Sequence, residues 1–179
     1  MGRLIILTNS QPKSVITKVS DVTDLVNQAI KDPSRAFPRI LQLAASDDWK
    51  EREVAATILV EAGKKKPGEI VSEMIRWADH NDPNVRRTAS EGLRGIARKQ
   101  PELVLPVIAK LNADSNLYVK KSVANVLRNM GNYHPELVLE TCAAWAREGN
   151  KHTSWIVKDG LRKLKAKFPG EVQRILGVL

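Results

Sequence analysis

The sequence predicts an all-α fold, a solenoid of stacked helix pairs with a 34-residue period. Two observations carry this expectation. Pro33, Pro67, Pro101, Pro135 and Pro169 stand 34 residues apart. At about 5% proline, four further matches at one spacing have a chance probability on the order of one in 100,000. Leu59, Leu93, Leu127 and Leu161 keep the same spacing, as do Ala55, Ala89, Val123 and Val157. Strand signals are nearly absent, because no dipeptide turn separates alternating apolar runs. A period of this length marks repeated supersecondary units.

Each unit reads as two helices. The proline opens the first, at a position where a missing N–H costs nothing. Leu103, Val107 and Leu111 then mark an apolar stripe at i, i+4 and i+8. A short polar turn follows, HNDPN at His80–Asn84, NADSN at Asn112–Asn116 and EGN at Glu148–Asn150. The second helix begins there, with Val85, Ala89, Leu93 and Ile96 as its buried stripe. The string D-x-N-V-R-x-x-A-x-x-x-L, starting at Asp82, resembles a HEAT repeat. One such pair cannot bury its own apolar face, so pairs stack around a concave groove.

In chain order, residues 1–19 are expected to be disordered or loosely packed. A capping helix falls within 20–34, about Asp21 to Lys31. Four helix pairs occupy 35–167, at about 35–65, 69–99, 102–133 and 136–167. A closing helix takes 170–179. The whole chain, 1–179, reads as one domain.

Composition narrows the function. Twenty-nine Lys+Arg against twenty Asp+Glu give a net charge of +9. A balance this basic points to an anionic partner, nucleic acid first. Cys142 is the one cysteine, so no internal disulfide is expected, and a reducing, cytoplasmic setting is. The apolar run near Leu4 is too short for a membrane span, and no signal peptide or membrane association is expected. One cysteine and three histidines leave no metal site to expect. No phosphate-binding glycine loop or nucleophile–His–acid set is present, and no cofactor is expected. The chain reads as a monomer.

At 100° per residue, the positions opposite the buried leucine of each second helix define one face. Lys50, Glu53, Thr57, Glu61 and Lys64 come from the first pair, and Asn84, Arg87, Glu91, Gly95 and Arg98 from the second. Tyr118, Lys121, Asn125, Asn129 and Asn132 follow in the third, and His152, Trp155, Asp159, Lys163 and Ala166 in the fourth. Cations beside aromatics suit a phosphate backbone with bases or sugars packed nearby. Arg87, Arg98, Tyr118, Lys121, Asn125, Asn129, Trp155 and Lys163 are the candidate nucleic-acid contacts. Trp155 reads either as a contact surface or as packing against the closing helix. Glu91, among Arg87, Arg94 and Arg98, reads either as a catalytic carboxylate or as a salt-bridge partner. Arg52, Arg86 and Lys120 share one register and read as structural partners of turn acids such as Asp82. Trp77 and Trp145 read as core.

VRRTASEGLR (Val85–Arg94), YVKKSVANVL (Tyr118–Leu127), YHPELVLETCAAW (Tyr133–Trp145) and TSWIVKDGLRKL (Thr153–Leu164) carry a family resemblance. They resemble the AlkC group of the AlkC/AlkD superfamily of alkylpurine DNA glycosylases, over roughly Asp48–Gly177. The resemblance implies HEAT-like repeats gripping double-stranded DNA in a basic groove. It implies excision of cationic N3- or N7-alkylpurines without base flipping, because the lesion's charge already makes the base a good leaving group. The remaining work is to stabilise an oxocarbenium-like sugar, which suits carboxylates and aromatic faces. The family's S-E-G glutamate falls on Glu91, and an upstream family carboxylate near Asp48. A downstream family aspartate falls on Asn129 and a family tryptophan near Lys99. Asp159, beside Trp155, is the second candidate catalytic carboxylate. Two other functions fit the same residues, a non-catalytic DNA-binding relative and a HEAT scaffold holding an acidic protein partner.

Overall fold

The structure, a computed structural model, describes residues 19–179, so the expectation for the segment before them lies outside the described residues. It is helical throughout, in line with the expected all-α repeat fold. The helices are α1 (Val19–Lys31), α2 (Pro33–Ala44), α3 (Trp49–Gly63), α4 (Pro67–Trp77), α5 (Pro83–Glu91) and α6 (Arg94–Lys99). They continue with α7 (Pro101–Lys110), α8 (Leu117–Met130), α9 (Pro135–Ala146), α10 (Lys151–Gly160), a 3-10 turn (Leu161–Ala166) and α11 (Pro169–Leu176).

All five register prolines open helices, α2, α4, α7, α9 and α11. A second register opens the other row. Asp48, Asp82, Asn116 and Asn150 are 34 apart and cap α3, α5, α8 and α10. Each side-chain oxygen accepts from the N–H two residues on, at 2.8–2.9 Å. Each cap satisfies a helix-end donor, for about 1 kcal/mol. Asp48 is therefore committed to helix geometry.

The helices form two rows. α1 touches α3, α3 touches α5 and α6, α5 touches α8, and α8 touches α10. In the other row α2 touches α4, α4 touches α7, and α9 touches α11. The core lies between the rows. Leu59, Leu93, Leu127 and Leu161 are fully buried there, with Ala55, Ala89, Val123 and Val157. Trp77 and Trp145 are also core. Trp77 donates from Nε1 to Glu73 at 2.9 Å and meets Phe37 edge-on.

The second helix of the second pair is not continuous. It breaks at Gly92, between α5 and α6, and the fourth pair's second helix tightens after Gly160. These glycines share a register with Ile58 and Val126, which lie inside unbroken helices. A Cβ on Gly92 would stand 2.8 Å from Leu59 Cβ, and one on Gly160 2.9 Å from Leu127 Cδ1. Glycine thus admits close approach to the preceding leucine and weakens the helix where it does so. We expect Gly92→Ala to cost about 1–3 kcal/mol by overpacking. Gly170→Ala, with nothing within 4 Å of its added Cβ, should not destabilise. Thermal melts of the two variants check the contrast.

Arg52 and Arg86 hold the turns before their helices, by carbonyls and not by the turn acid expected from sequence. Arg52 donates to the carbonyls of Ser46 (2.6 Å) and Asp47 (2.9 Å). Arg86 donates to those of His80 and Asn81, both at 2.9 Å. Asp82 is occupied as a cap, and Arg86 pairs with Asp114 in the next turn at 2.6 Å. For Arg52 the position equivalent to Asp114 is His80, not an acid, and Arg52 Nε is buried without a partner.

Cys142 is fully buried in α9, and burial pushes its thiol up to about 12. The thiolate is the reactive form. A thiol reagent at neutral pH should therefore leave the native protein unlabelled and modify it only on unfolding; rapid native labelling would contradict this packing.

Candidate nucleic-acid interface

The face opposite the buried leucines forms as expected. Every position assigned to it from α3, α5–α6, α8 and α10 with the following turn is exposed or half-buried, and none is core. Its centre is the junction of α5 and α8. There the serines of the S-E-G and S-V-A-N strings meet. Ser90 Oγ and Ser122 Oγ are 2.6 Å apart and buried, and Ser90 also donates to the carbonyl of Arg87. This polar link fixes the two helices side by side and sets Arg87 and Tyr118 on the surface above it.

Tyr118 is 60% exposed. The Arg87 guanidinium carbon lies 6.0 Å from its ring centroid and Lys121 Nζ 5.7 Å. Two cations on one ring contribute about 0.5–1 kcal/mol each at an exposed site. The arrangement presents an aromatic face flanked by two positive charges.

Glu91 is paired. Arg87 Nε donates to its carboxylate at 2.9 Å, one turn away on α5, and the carboxylate side chain is 15% exposed. Arg94 donates instead to the Glu91 carbonyl at 3.1 Å and reaches Glu53 at 3.5 Å. Asp159 is held by Arg128 of α8 in a close ion pair, and more loosely by Arg162 at 3.7 Å. Arg128 also reaches Asn125 Oδ1 at 3.4 Å. Glu91, Asn125 and Asp159 share one register on α5, α8 and α10. Two repeats therefore separate the carboxylates, about 16–20 Å at ordinary helix spacing. Two carboxyl groups acting on one sugar stand within about 10 Å. The structure does not bring Glu91 and Asp159 together as a pair.

Trp155 is half-buried and packs against the core. It lines a cavity of about 420 Å³ with Lys151, Lys158, Val178 and Leu179, and Lys120 Nζ stands 5.4 Å from its ring centroid. Lys120 also lies 3.4 Å from His152 Nδ1. Arg98 stacks on Tyr133, 4.6 Å from its centroid, and its carbonyl lies 2.9 Å from His134 Nε2. Asn129 is half-buried on α8, and Lys163 is exposed on the 3-10 turn.

Sequence reasoning passed over Arg128 and Trp49. Arg94, Arg128 and Arg162 are 34 apart, a register that marks Arg128 as the partner-seeking cation beside Asp159. Trp49, 64% exposed at the start of α3, is the most exposed of the large apolar side chains described. It shares its register with Leu117, also exposed, so both project from the starts of second helices.

Among the described residues no group of His, Cys, Asp and Glu is arranged to hold a metal ion, and no helix is long and apolar enough to cross a membrane.

The model of the DNA alkylation repair enzyme family matches residues 24–164. The chain is similar in structure to the alkylpurine DNA glycosylase AlkC of Pseudomonas fluorescens, solved bound to DNA containing an abasic site analog. The TM-score is 0.73 at 26% identity, over 87% of this chain and 44% of that one. The chain thus spans less than half the length of that structure. A second similar structure is smu.31 from Streptococcus mutans UA159, with a TM-score of 0.65 at 25% identity, over 78% of this chain and 71% of that one. No curated protein matches the chain.

Proposed function

Since the chain belongs to the DNA alkylation repair enzyme family, we propose that it binds duplex DNA across the second-helix face and releases cationic N3- or N7-alkylpurines there. The Tyr118 cluster supports this reading most directly. An exposed ring flanked by Arg87 and Lys121 matches a deoxyribose or base edge packed between phosphates. The structurally similar Pseudomonas fluorescens enzyme is likewise bound to DNA, which contains an abasic site analog.

Glu91 is the carboxylate assigned to the chemistry. Without DNA its charge is offset by Arg87. A phosphate beside Tyr118 competes for that guanidinium and leaves Glu91 negative next to the sugar. A fixed anion there favours the oxocarbenium-like transition state over the neutral ground state. Asp159, two repeats away and held by Arg128, positions α10 against α8 and takes no part at the same sugar.

A second reading, binding without base release, is favoured by the same ion pair, which serves equally as an ordinary intrahelical bridge, and by Asn129 at a family aspartate position. Release of methylated purines from alkylated duplex, wild type beside Glu91→Gln, separates the two. Release by the wild type alone supports the assignment. Release by neither, with DNA binding kept, supports binding alone. Release by both removes Glu91 from the chemistry.

A further inference from the structure

The register that holds the turns changes at its third step. Arg52 and Arg86 stand there in the first two pairs, and Lys120 in the third. Arg86 forks between the carbonyls of its own turn and Asp114. An ammonium has no such fork. Glu148, at the position equivalent to Asp114, accepts from Asn112 Nδ2 at 3.1 and 3.0 Å. Lys120 turns toward α10. Its Nζ stands 3.4 Å from His152 Nδ1 and 5.4 Å from the Trp155 ring centroid. All three residues are half-buried.

That contact fixes the state of the imidazole. An ammonium donates and cannot accept, so Nδ1 is bare and the ring carries its proton on Nε2. A second proton would set two positive charges 3.4 Å apart. The charges around the pair do not relieve this. On α8, Lys121 faces Tyr118 at 5.7 Å. On α10, Lys151 and Lys158 add positive charge beside Trp155, and Asp159 is taken by Arg128. Before α10, Glu148 is bonded to Asn112. An anion meeting both groups removes the obstacle, since Lys120 then donates to the anion and the ring takes its second proton. The other two histidines are committed locally. His80 Nδ1 accepts the N–H of Asp82 at 3.0 Å, and His134 Nε2 lies 2.9 Å from the carbonyl of Arg98.

We infer that Lys120, His152 and Trp155 form a second phosphate subsite, in which His152 takes up a proton as a DNA strand phosphate enters and the adjoining sugar packs on the indole. The inference rests on the duplex-binding reading above. It adds a second grip on the strand, one repeat beyond Tyr118, and makes that grip depend on pH. Tyr118 and Trp155 lie on neighbouring second helices, about 8–10 Å apart at ordinary helix spacing. That is about two to three nucleotide steps at 3.4 Å rise, so one strand reaches both rings. Trp155 borders a cleft of about 420 Å³, which leaves space for a sugar beside the ring.

The test is duplex affinity at about pH 6 and about pH 8, across the range where histidine changes charge, by anisotropy of a labelled duplex at one ionic strength. The wild type is compared with His152→Gln, Lys120→Gln and a control, His134→Gln. One proton taken up on binding changes affinity by at most about tenfold per pH unit, so the wild type should bind about 5–20-fold more tightly at the lower pH. His152→Gln keeps a donor but cannot gain a charge. It should lose that gain and keep the wild type's affinity at the higher pH. Lys120→Gln should bind more weakly at both, and lose about 0.9 from the slope of log K against log salt. His134→Gln should follow the wild type. The ring C–H resonances of the wild type give a readout free of any folding defect. With duplex bound, His152 should titrate at higher pH than without it, while His80 and His134 should not move. A His152→Gln variant with the wild type's pH dependence, loss of that dependence in His134→Gln, or a His152 titration unmoved by duplex overturns the subsite and leaves duplex binding intact. A wild type that binds no duplex at either pH overturns the duplex-binding reading and this inference together. Equal His152-dependent binding of polyglutamate overturns the assignment to phosphate.

Discussion

Arg86→Ala should destabilise the fold by about 3–5 kcal/mol, the cost of leaving one member of a buried ion pair uncompensated. Arg86 does two jobs with one guanidinium. Nη1 holds the carbonyls of His80 and Asn81, closing the turn before α5. Nε and Nη2 reach the two carboxylate oxygens of Asp114 at 2.6 and 3.3 Å, in the turn before α8. Asp114 is 7% exposed at its side chain and accepts the N–H of Asn116 at 2.8 Å. Removing the arginine strands that carboxylate and frees two turn carbonyls at once. Lys at the same place keeps the charge but not the fork. Arg86→Lys should therefore recover only part of the loss. Denaturant unfolding of Arg86→Ala, Asp114→Ala and the double variant measures the coupling. A double variant that sums the single losses would mean the two side chains act independently.

Glu91→Gln should reduce base release by about 10²–10³-fold, the scale of removing one preorganised electrostatic group from a water-poor site. The substitution is close to isosteric. The glutamine oxygen still accepts from Arg87 Nε, so α5 keeps its surface and the Tyr118 cluster stays in place. What goes is the negative charge. DNA affinity should hold or rise slightly, because an anion facing phosphate is removed. A loss of affinity matching the loss of release would instead make Glu91 a scaffold for Arg87, with no separate part in the chemistry.

The registers were legible because each repeat presents the same environment at the same step. Pro33 and its four counterparts, the buried leucines and the face opposite them all follow from period and helix geometry. The Asx caps at Asp48, Asp82, Asn116 and Asn150 obey the same logic. Interactions between repeats were less legible, since their spacing is set by three-dimensional neighbours. Arg86 finds Asp114 and Arg128 finds Asp159 across adjacent units, at separations that are not multiples of the period. The fate of Trp155 was open for the same reason. It depends on the core beside α10, which no single helix face reveals. The break at Gly92 was hidden in a string whose apolar pattern runs straight through it. Only the approach of Leu59 explains why glycine stands there.

The central claim is that duplex DNA lies on the second-helix face. Backbone amide shifts of isotopically labelled protein, followed during titration with a short duplex, test it most directly. The account predicts shifts concentrated on α3, α5, α6, α8 and α10, with Arg87, Tyr118 and Lys121 among the largest, and quiet amides on α2, α4, α7 and α9. Shifts gathered on those first helices, with the Tyr118 region unmoved, would contradict it.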